Sequence, residues 1–138
     1  MLNGIPSAPD GTSAKDDFGE FLVDSCFIPQ IVYSTTFGYR TDMVGSIPPT
    51  SVCDVFDTTK YPGKRSLQKV PLDNLEWALM CDGVAKADIY NTLETKAGLE
   101  QALAKLDTIK DDVIWWNAGA DTPQLLADGE VIMGSTYN

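Results

Sequence analysis

The sequence has no histidine, and with it goes the commonest general base and metal ligand. Cysteine is scarce. Cys26, Cys53 and Cys81 are too far apart for a zinc site or a Cys-x-x-Cys redox pair. They read either as three ordinary thiols or, in an oxidising compartment, as including a Cys26–Cys53 bridge. Long apolar runs are missing as well: no segment reaches the ~18 apolar residues of a membrane span, since Asp24 interrupts the most apolar region after Val23. Met1 to Asp10 holds neither a basic residue nor an apolar run, so it is not read as a secretory signal. Bases number 10 against 20 acids, a net charge of −10, with no Lys/Arg cluster to displace phosphate counterions. That balance argues against nucleic acid and against an anionic membrane as partners. It is compatible with a cationic partner, or simply with a soluble acidic surface.

What is present suits one globular domain. The chain has 138 residues, 43% of them hydrophobic and 22% charged, room enough for one core without a metal or disulfide staple. Residues 1–17, rich in Pro, Gly, Ser, Ala and Asp, read as a flexible lead-in, and the ordered domain is expected over residues 18–138. The β-branched and aromatic run from Phe27 to Tyr39 predicts a long strand. Thr50 or Ser51 is placed to cap a short helix over Val52 to Phe56, and Lys64 to Gln68 reads as a short strand. Pro71 opens a helix carrying Leu72, Leu75 and Leu79 on one face, stopped by Gly83. A helical piece around Asp88 to Leu93 follows. In the next helix Leu99, Ala102, Leu103, Leu106 and Ile109 form a stripe expected to be buried against a sheet. Val113 to Trp116 is a strand, Asn117 to Ala120 a loop, and Thr122, Pro123 and Gly129 bracket a two-turn helix with Thr122 as its cap. Val131 to Tyr137 is the last strand. This alternation predicts an α/β fold with a largely parallel sheet flanked by helices, and ligands beyond the carboxyl ends of the strands.

Three stretches carry a resemblance. Ile31-Val32-Tyr33-Ser34-Thr35-Thr36, Pro49-Thr50-Ser51 and Lys60-Tyr61-Pro62-Gly63-Lys64-Arg65 are similar to the middle of the extracellular solute-binding proteins of bacterial ABC importers, of the spermidine/putrescine-binding type. Trp115 to Ala120, Pro123 to Val131 and Tyr137-Asn138 extend the likeness, which runs from Cys26 to Asn138. It implies a three-layer lobe of a type II periplasmic binding protein: the second lobe, with the crossover strand 27–39 that enters it. It also implies an isolated, truncated lobe lacking the first lobe and a signal peptide, in a periplasmic or extracellular setting.

By the same resemblance, ligand contacts fall on Asp73, on the Asn117 to Gln124 segment with Trp116, Thr122 and Gln124, and on Tyr137. Tyr33, Ser34, Thr35 and Thr36 form the hinge. A carboxylate with an aromatic face suits a small cation. Other readings stand beside these. Asp73 also suits the first turn of any helix, Tyr137 is equally a plain sheet residue, and Glu76 reads as a solvated helix face. Trp115 and Trp116 point to opposite sides of their strand, so one of them belongs to the core. Lys69-Val70 stands where polyamine binders offer a second acid, which opens the choice to another amine, a zwitterion or a small anion. Asp121 beside the helix start opposes the anion. No Gly-x-Ser-x-Gly elbow, phosphate-cradling glycine loop or metal-ligand cluster is present, so no catalytic residue, metal ligand or cofactor is assigned and the chain is not read as an enzyme.

The expected role is therefore recognition of a small amine or zwitterionic solute for an ABC transporter permease. The alternative is a folded remnant or interaction module that binds no solute by itself. A crossover strand without its partner lobe would leave an unpaired edge, which predicts a homo-oligomer.

Overall fold

A computed structural model describes residues 4–24 and 26–138, in two compact units, one ending at Tyr33 and one running from Ser34 to Asn138. In the first unit Ser13 accepts the Asp16 N–H and caps helix α1 (Ala14–Phe18), and a 3₁₀ turn, Gly19–Phe21, follows. Neither buries a residue. Regular structure thus begins inside the stretch expected to hold no packed element, because a local cap is enough to form one turn.

The second unit is built on a four-stranded sheet of β1 (Thr35–Tyr39), β2 (Arg65–Gln68), β3 (Val113–Trp116) and β4 (Met133–Tyr137), in the order β1-β4-β2-β3. β2 runs parallel to both β3 and β4, and β1 antiparallel to β4. The α/β architecture with a largely parallel sheet is therefore the one expected. The strand expected over residues 27–39 is shorter, since β1 starts at Thr35. Composition makes residues 27–34 strand-like, but a strand exists through its partner, and β4 ends opposite Thr35. One further step of pairing is made by side chain and backbone together. The Ser34 N–H donates to Asn138 Oδ1 (2.9 Å) and the Asn138 N–H donates to the Ser34 carbonyl (3.2 Å).

Neighbouring residues of β2 face opposite ways. Leu67 joins Val55, Tyr61, Ile109, Ile132 and Met133 in the main core, with Trp77 of α2 (Asn74–Cys81) and Leu106 of α4 (Lys96–Asp107) packed against it. Ala78, Leu79, Ile89 and Ala102 form a second cluster that locks α2 to α4 and to the one-turn helix α3 (Ile89–Leu93). Ser66, on the other face, meets α5 (Asp121–Asp128): its hydroxyl lies 2.8 Å from that of Thr122, and both are buried. Arg65 is fully buried. Its guanidinium donates to the carbonyls of Val55 (2.8 Å), Asp57 (3.1 Å) and Gly63. Burial pulls its pKa down, against the opposing fields of Asp112 and Asp57.

Ser51 caps the 3₁₀ turn Val52–Phe56 as expected, in a capping box with Asp54. That turn packs on α2 and brings Cys53 to Cys81, Cα atoms 5.1 Å apart, in a disulfide. The bridge is neither of the two readings expected from spacing: Cys26 is free and exposed, and the contact between turn and helix selects the partner. Two helices also differ from expectation. α2 begins at Asn74, because Asp73 has φ 66° and leaves Pro71 and Leu72 in the turn before it. In α4, Ala102 is buried while Leu99 and Leu103 are exposed, and Ile109 reaches the core from beyond the helix end. The helix packs on α2 rather than flat on the sheet, so its apolar stripe is wider than the surface it meets.

Candidate functional site

The connection leaving β2 covers one face of the sheet with α2 and α4, and the connection entering β4 covers the other with α5. β2 and β4 are thus adjacent strands whose connections diverge, the arrangement that opens a crevice at the carboxyl ends of a parallel sheet. Their ladder stops at Ser66 and Gly134. There the backbones come so close that a Cβ on Gly134 would lie 2.3 Å from the Ser66 carbonyl oxygen. Beyond that point the Ser135 hydroxyl replaces the missing ladder bonds, accepting the Gln68 N–H (3.2 Å) and the indole N–H of Trp116 (3.1 Å).

Trp116 is 2% exposed, and the ring of Tyr137, a 36% exposed residue, meets it edge to face at 5.5 Å. A Cβ on Gly119 would come within 3.0 Å of the Tyr137 ring, so the Asn117 to Ala120 loop closes directly on this aromatic pair. Trp116 also lines a cavity of about 290 Å³ together with Ile114, Asp121, Gln124 and Leu125. Within it Gln124 donates to Asp128 (2.8 Å). Thr122 is not the helix cap and does not open to the cavity. It sits inside α5, buried, with its hydroxyl drawn onto Ser66. Asp121 fixes the loop instead, accepting the N–H groups of Asn117 (3.2 Å) and Ala118 (3.0 Å). Two main-chain donors at this helix start are therefore already satisfied by an internal anion.

Asp73 stands at the same edge, on the loop from β2 to α2. Asn74 pins that loop by donating its side-chain amide to the carbonyls of Gln68 (2.6 Å) and Val70 (2.7 Å), while the Lys69 N–H donates to the Trp116 carbonyl (2.8 Å). These bonds hold Asp73 at positive φ, a conformation costly for a residue with a side chain. Asp73 is half-buried as a residue, and its side chain caps nothing in α2. One turn on, Glu76 is not a solvated face: its Oε2 is sealed from solvent with no hydrogen-bond partner among the described residues.

Asp73, Trp116 and Tyr137 thus lie along one edge of the sheet with Gln124 beside them, whereas Thr122 lies beneath it. Sequence reasoning passed over Asn74, which acts on main-chain carbonyls, and Ser135, which acts on a main-chain N–H and the Trp116 indole; neither leaves a spacing signal. Of the expected hinge residues, Tyr33 ends the first unit, Ser34 opens the second, and Thr35 and Thr36 belong to β1. Among the described residues no helix is long and apolar enough to cross a membrane, and no three acidic or cysteine side chains are grouped to hold a metal ion.

Known proteins share this sequence and fold. The chain is 40% identical over 113 residues to the gamma-aminobutyric acid-binding protein of Pseudomonas aeruginosa, a match covering 82% of this chain and 32% of that protein. The solved structure of a GABA receptor is 41% identical, with a TM-score of 0.66 over 76% of this chain and 32% of its own. The PBP MotA of A. tumefaciens B6, in complex with glucopine, is 34% identical, with a TM-score of 0.76 over 96% of this chain and 41% of its own. A spermidine/putrescine substrate-binding protein of Streptococcus pneumoniae, at 17% identity and a TM-score of 0.59, shares the fold alone. The chain spans about a third of the length of the relatives it matches. The family model described as bacterial extracellular solute-binding protein matches residues 3–138, and the chain belongs to that family.

Proposed function

We propose that this chain is a solute-recognition lobe serving an ABC importer outside the cytoplasmic membrane, and that its solute is a short amino acid with its amine and carboxylate at opposite ends. γ-Aminobutyric acid is the model ligand. The observation that carries this reading is the carboxyl edge of the sheet, where the Asp73 carboxylate and the exposed Tyr137 ring stand in a protein 40% identical to a GABA-binding one. Asp73 supplies a charge-assisted hydrogen bond to the ammonium, and Tyr137 adds a cation–π contact of about 0.5–2 kcal/mol. Lys69, next to Gln68 at the end of β2, supplies the positive charge for the carboxylate. A polyamine would want an acid there, so the zwitterion fits better than putrescine or spermidine. The solute is bound and handed to a permease unchanged. β1 pairs with β4 on one side and has no partner on the other among the described residues, an edge through which a second copy could pair.

A thermal-shift titration tests the reading. GABA is expected to raise the melting temperature, with stabilisation of about 2.7 kcal/mol at a hundredfold excess over Kd. Asp73→Asn abolishes the shift while leaving the unliganded melting temperature near that of the parent. A shift with putrescine and none with GABA would return the site to polyamines. No shift with either would mean that this lobe alone does not recognise the solute.

A further inference from the structure

The Cys53–Cys81 bridge and the loop that carries Asp73 lie at opposite ends of one helix. Cys81 is the last residue of α2, and Asn74, its first, donates to the carbonyls of Gln68 and Val70 beside Asp73. β2 joins the same two ends by a second route. It runs from Arg65 to Gln68, and Arg65 donates to the carbonyls of Val55 and Asp57, in and just after the turn Val52–Phe56. That turn is tied to Cys81 through Cys53, so strand, helix and turn close a ring. Its two arms are matched in length, about 12 Å for the eight residues of α2 and about 13 Å for the four of β2.

Two members of the ring are held in states they would leave if released. Arg65 is a fully buried cation whose hydrogen bonds all go to main-chain carbonyls, with no carboxylate bonded to it among the described residues. A buried charge is tolerated while its acceptors stay in place, and the turn supplies two of the three. Asp73 is the one non-glycine residue at positive φ among the described residues, a conformation that persists where its surroundings impose it. The disulfide is the one covalent link that closes the ring, and neither of its cysteines is buried.

We propose that the bridge is a redox clamp on the solute site. Oxidised, it keeps the turn over Arg65 and Asp73 in its strained position; reduced, it lets the turn move off Arg65 and Asp73 relax, so that the ammonium is held more weakly. This regulation rests on Asp73 as the ammonium acceptor of the proposed site. The chemistry is thiol–disulfide exchange with a dithiol reductant. One thiolate of the dithiol attacks a bridge sulfur, forming a mixed disulfide and releasing the other cysteine as a thiolate. Its second thiolate then closes the dithiol into a disulfide and expels the remaining cysteine. Two electrons pass to the protein, and the two protons of the dithiol end on Cys53 and Cys81. Val55 and Phe56 stay packed in the core in both states, so reduction loosens the turn without unfolding the chain.

The test compares the oxidised chain with the chain reduced by dithiothreitol, both carrying Cys26→Ser so that the free thiol cannot exchange with the bridge. ¹H–¹⁵N correlation spectra report the folded structure and not its stability. Amide shifts are expected at Val52 to Asp57 and again at Lys69 to Asn74, the far end of the ring, with α5 unmoved. Calorimetry is expected to show GABA bound about fivefold or more weakly by the reduced chain, and saturating GABA should bias the dithiothreitol equilibrium toward the oxidised bridge by the same factor. Asn74→Ala cuts the ring at the solute end and should keep the first set of shifts while losing the second; the spectra of the parent pair decide without it. Shifts confined to the turn and the end of α2, an unfolded spectrum on reduction, or equal GABA affinity in the two states would overturn the proposal. If the oxidised chain binds no GABA, the solute assignment fails, and the clamp stands or falls on the shifts at Lys69 to Asn74.

Discussion

Against α5 the sheet presents Ser66, Gly134 and Gly38, whereas against α2 and α4 it presents Leu67, Met133 and Trp115. On the first side the contact is made by small residues: a Cβ on Gly38 would touch Leu126 and Thr136 at 3.6 Å, and one on Gly134 would collide with the Ser66 backbone. A buried pair of hydroxyls fixes the register of α5 on β2. On the second side the contact is made by volume, a core of Leu67, Val55, Tyr61, Ile109 and Met133 that thins to an exposed rim at Trp115 and Leu103. The difference teaches where each face tolerates change. At Gly134 the α5 face has no room for an added methyl group, at Gly38 one would sit in ordinary contact, and the rim of the other face tolerates even a charge.

The largest expected effect breaks the apolar side. Replacing both Cys53 and Cys81 by Ser releases the turn Val52–Phe56 from α2, and loop-closure entropy over a separation of 28 residues puts the loss at roughly 3–4 kcal/mol. Urea denaturation of the double variant checks this, and an unchanged midpoint would show that the core alone holds the turn. On the α5 side, Gly134→Ala should cost about 3 kcal/mol, because the methyl group meets backbone that cannot rotate away. Leu103→Glu, on the open rim, should stay within about 0.5 kcal/mol of the parent, and parity of these two variants in thermal unfolding would erase the contrast.

Smaller effects sharpen it. Thr122→Val keeps the shape of the side chain but leaves the buried Ser66 hydroxyl unpaired, an expected loss of about 1–2 kcal/mol. Thr122→Ser should recover most of it, which separates the hydrogen bond from packing. The smallest effect is one of pH. Burial pushes the Asp54 carboxyl up, but the N–H groups of Thr50 and Ser51 and the Lys60 ammonium together outweigh it and hold the pKa below the ordinary 3.8. A folded value below the unfolded one gives stability that is full above the unfolded value and lost as pH falls through the folded one. The parent should therefore lose more stability than Asp54→Asn as pH falls below about 4, and equal losses would contradict the role given to the capping box.

Much of this fold is legible in the chain. β2, β3, β4 and α5 are bounded by their own residues: Tyr61-Pro62-Gly63 ahead of β2, and Gly129 in the left-handed conformation after α5. What the chain conceals depends on distant partners. The start of β1 is set by where β4 ends. The Cys53–Cys81 bridge is set by a turn packing on a helix, and the exposure of Leu99 and Leu103 by the packing of α4 on α2 rather than flat on the sheet. At the candidate site, alternation along β3 requires Trp115 and Trp116 to diverge, but the Ser135 hydroxyl decides which goes inward, and nothing local marks Ser135. Asp73 and Tyr137 stand out through chemistry and resemblance. Asn74, which holds Asp73 in place, is visible once the loop is folded.

The most direct test of the account is an ¹H–¹⁵N correlation spectrum of the chain titrated with GABA. The account predicts that shifts concentrate on the indole N–H of Trp116, the amides of Lys69 to Asn74 and Asn117 to Asp121, and Tyr137, with the amino-terminal ends of β2 and β4 unmoved. Shifts centred on Val44, Lys60 and Tyr61 at the opposite edge of the sheet, or a spectrum untouched at saturating GABA, would contradict it.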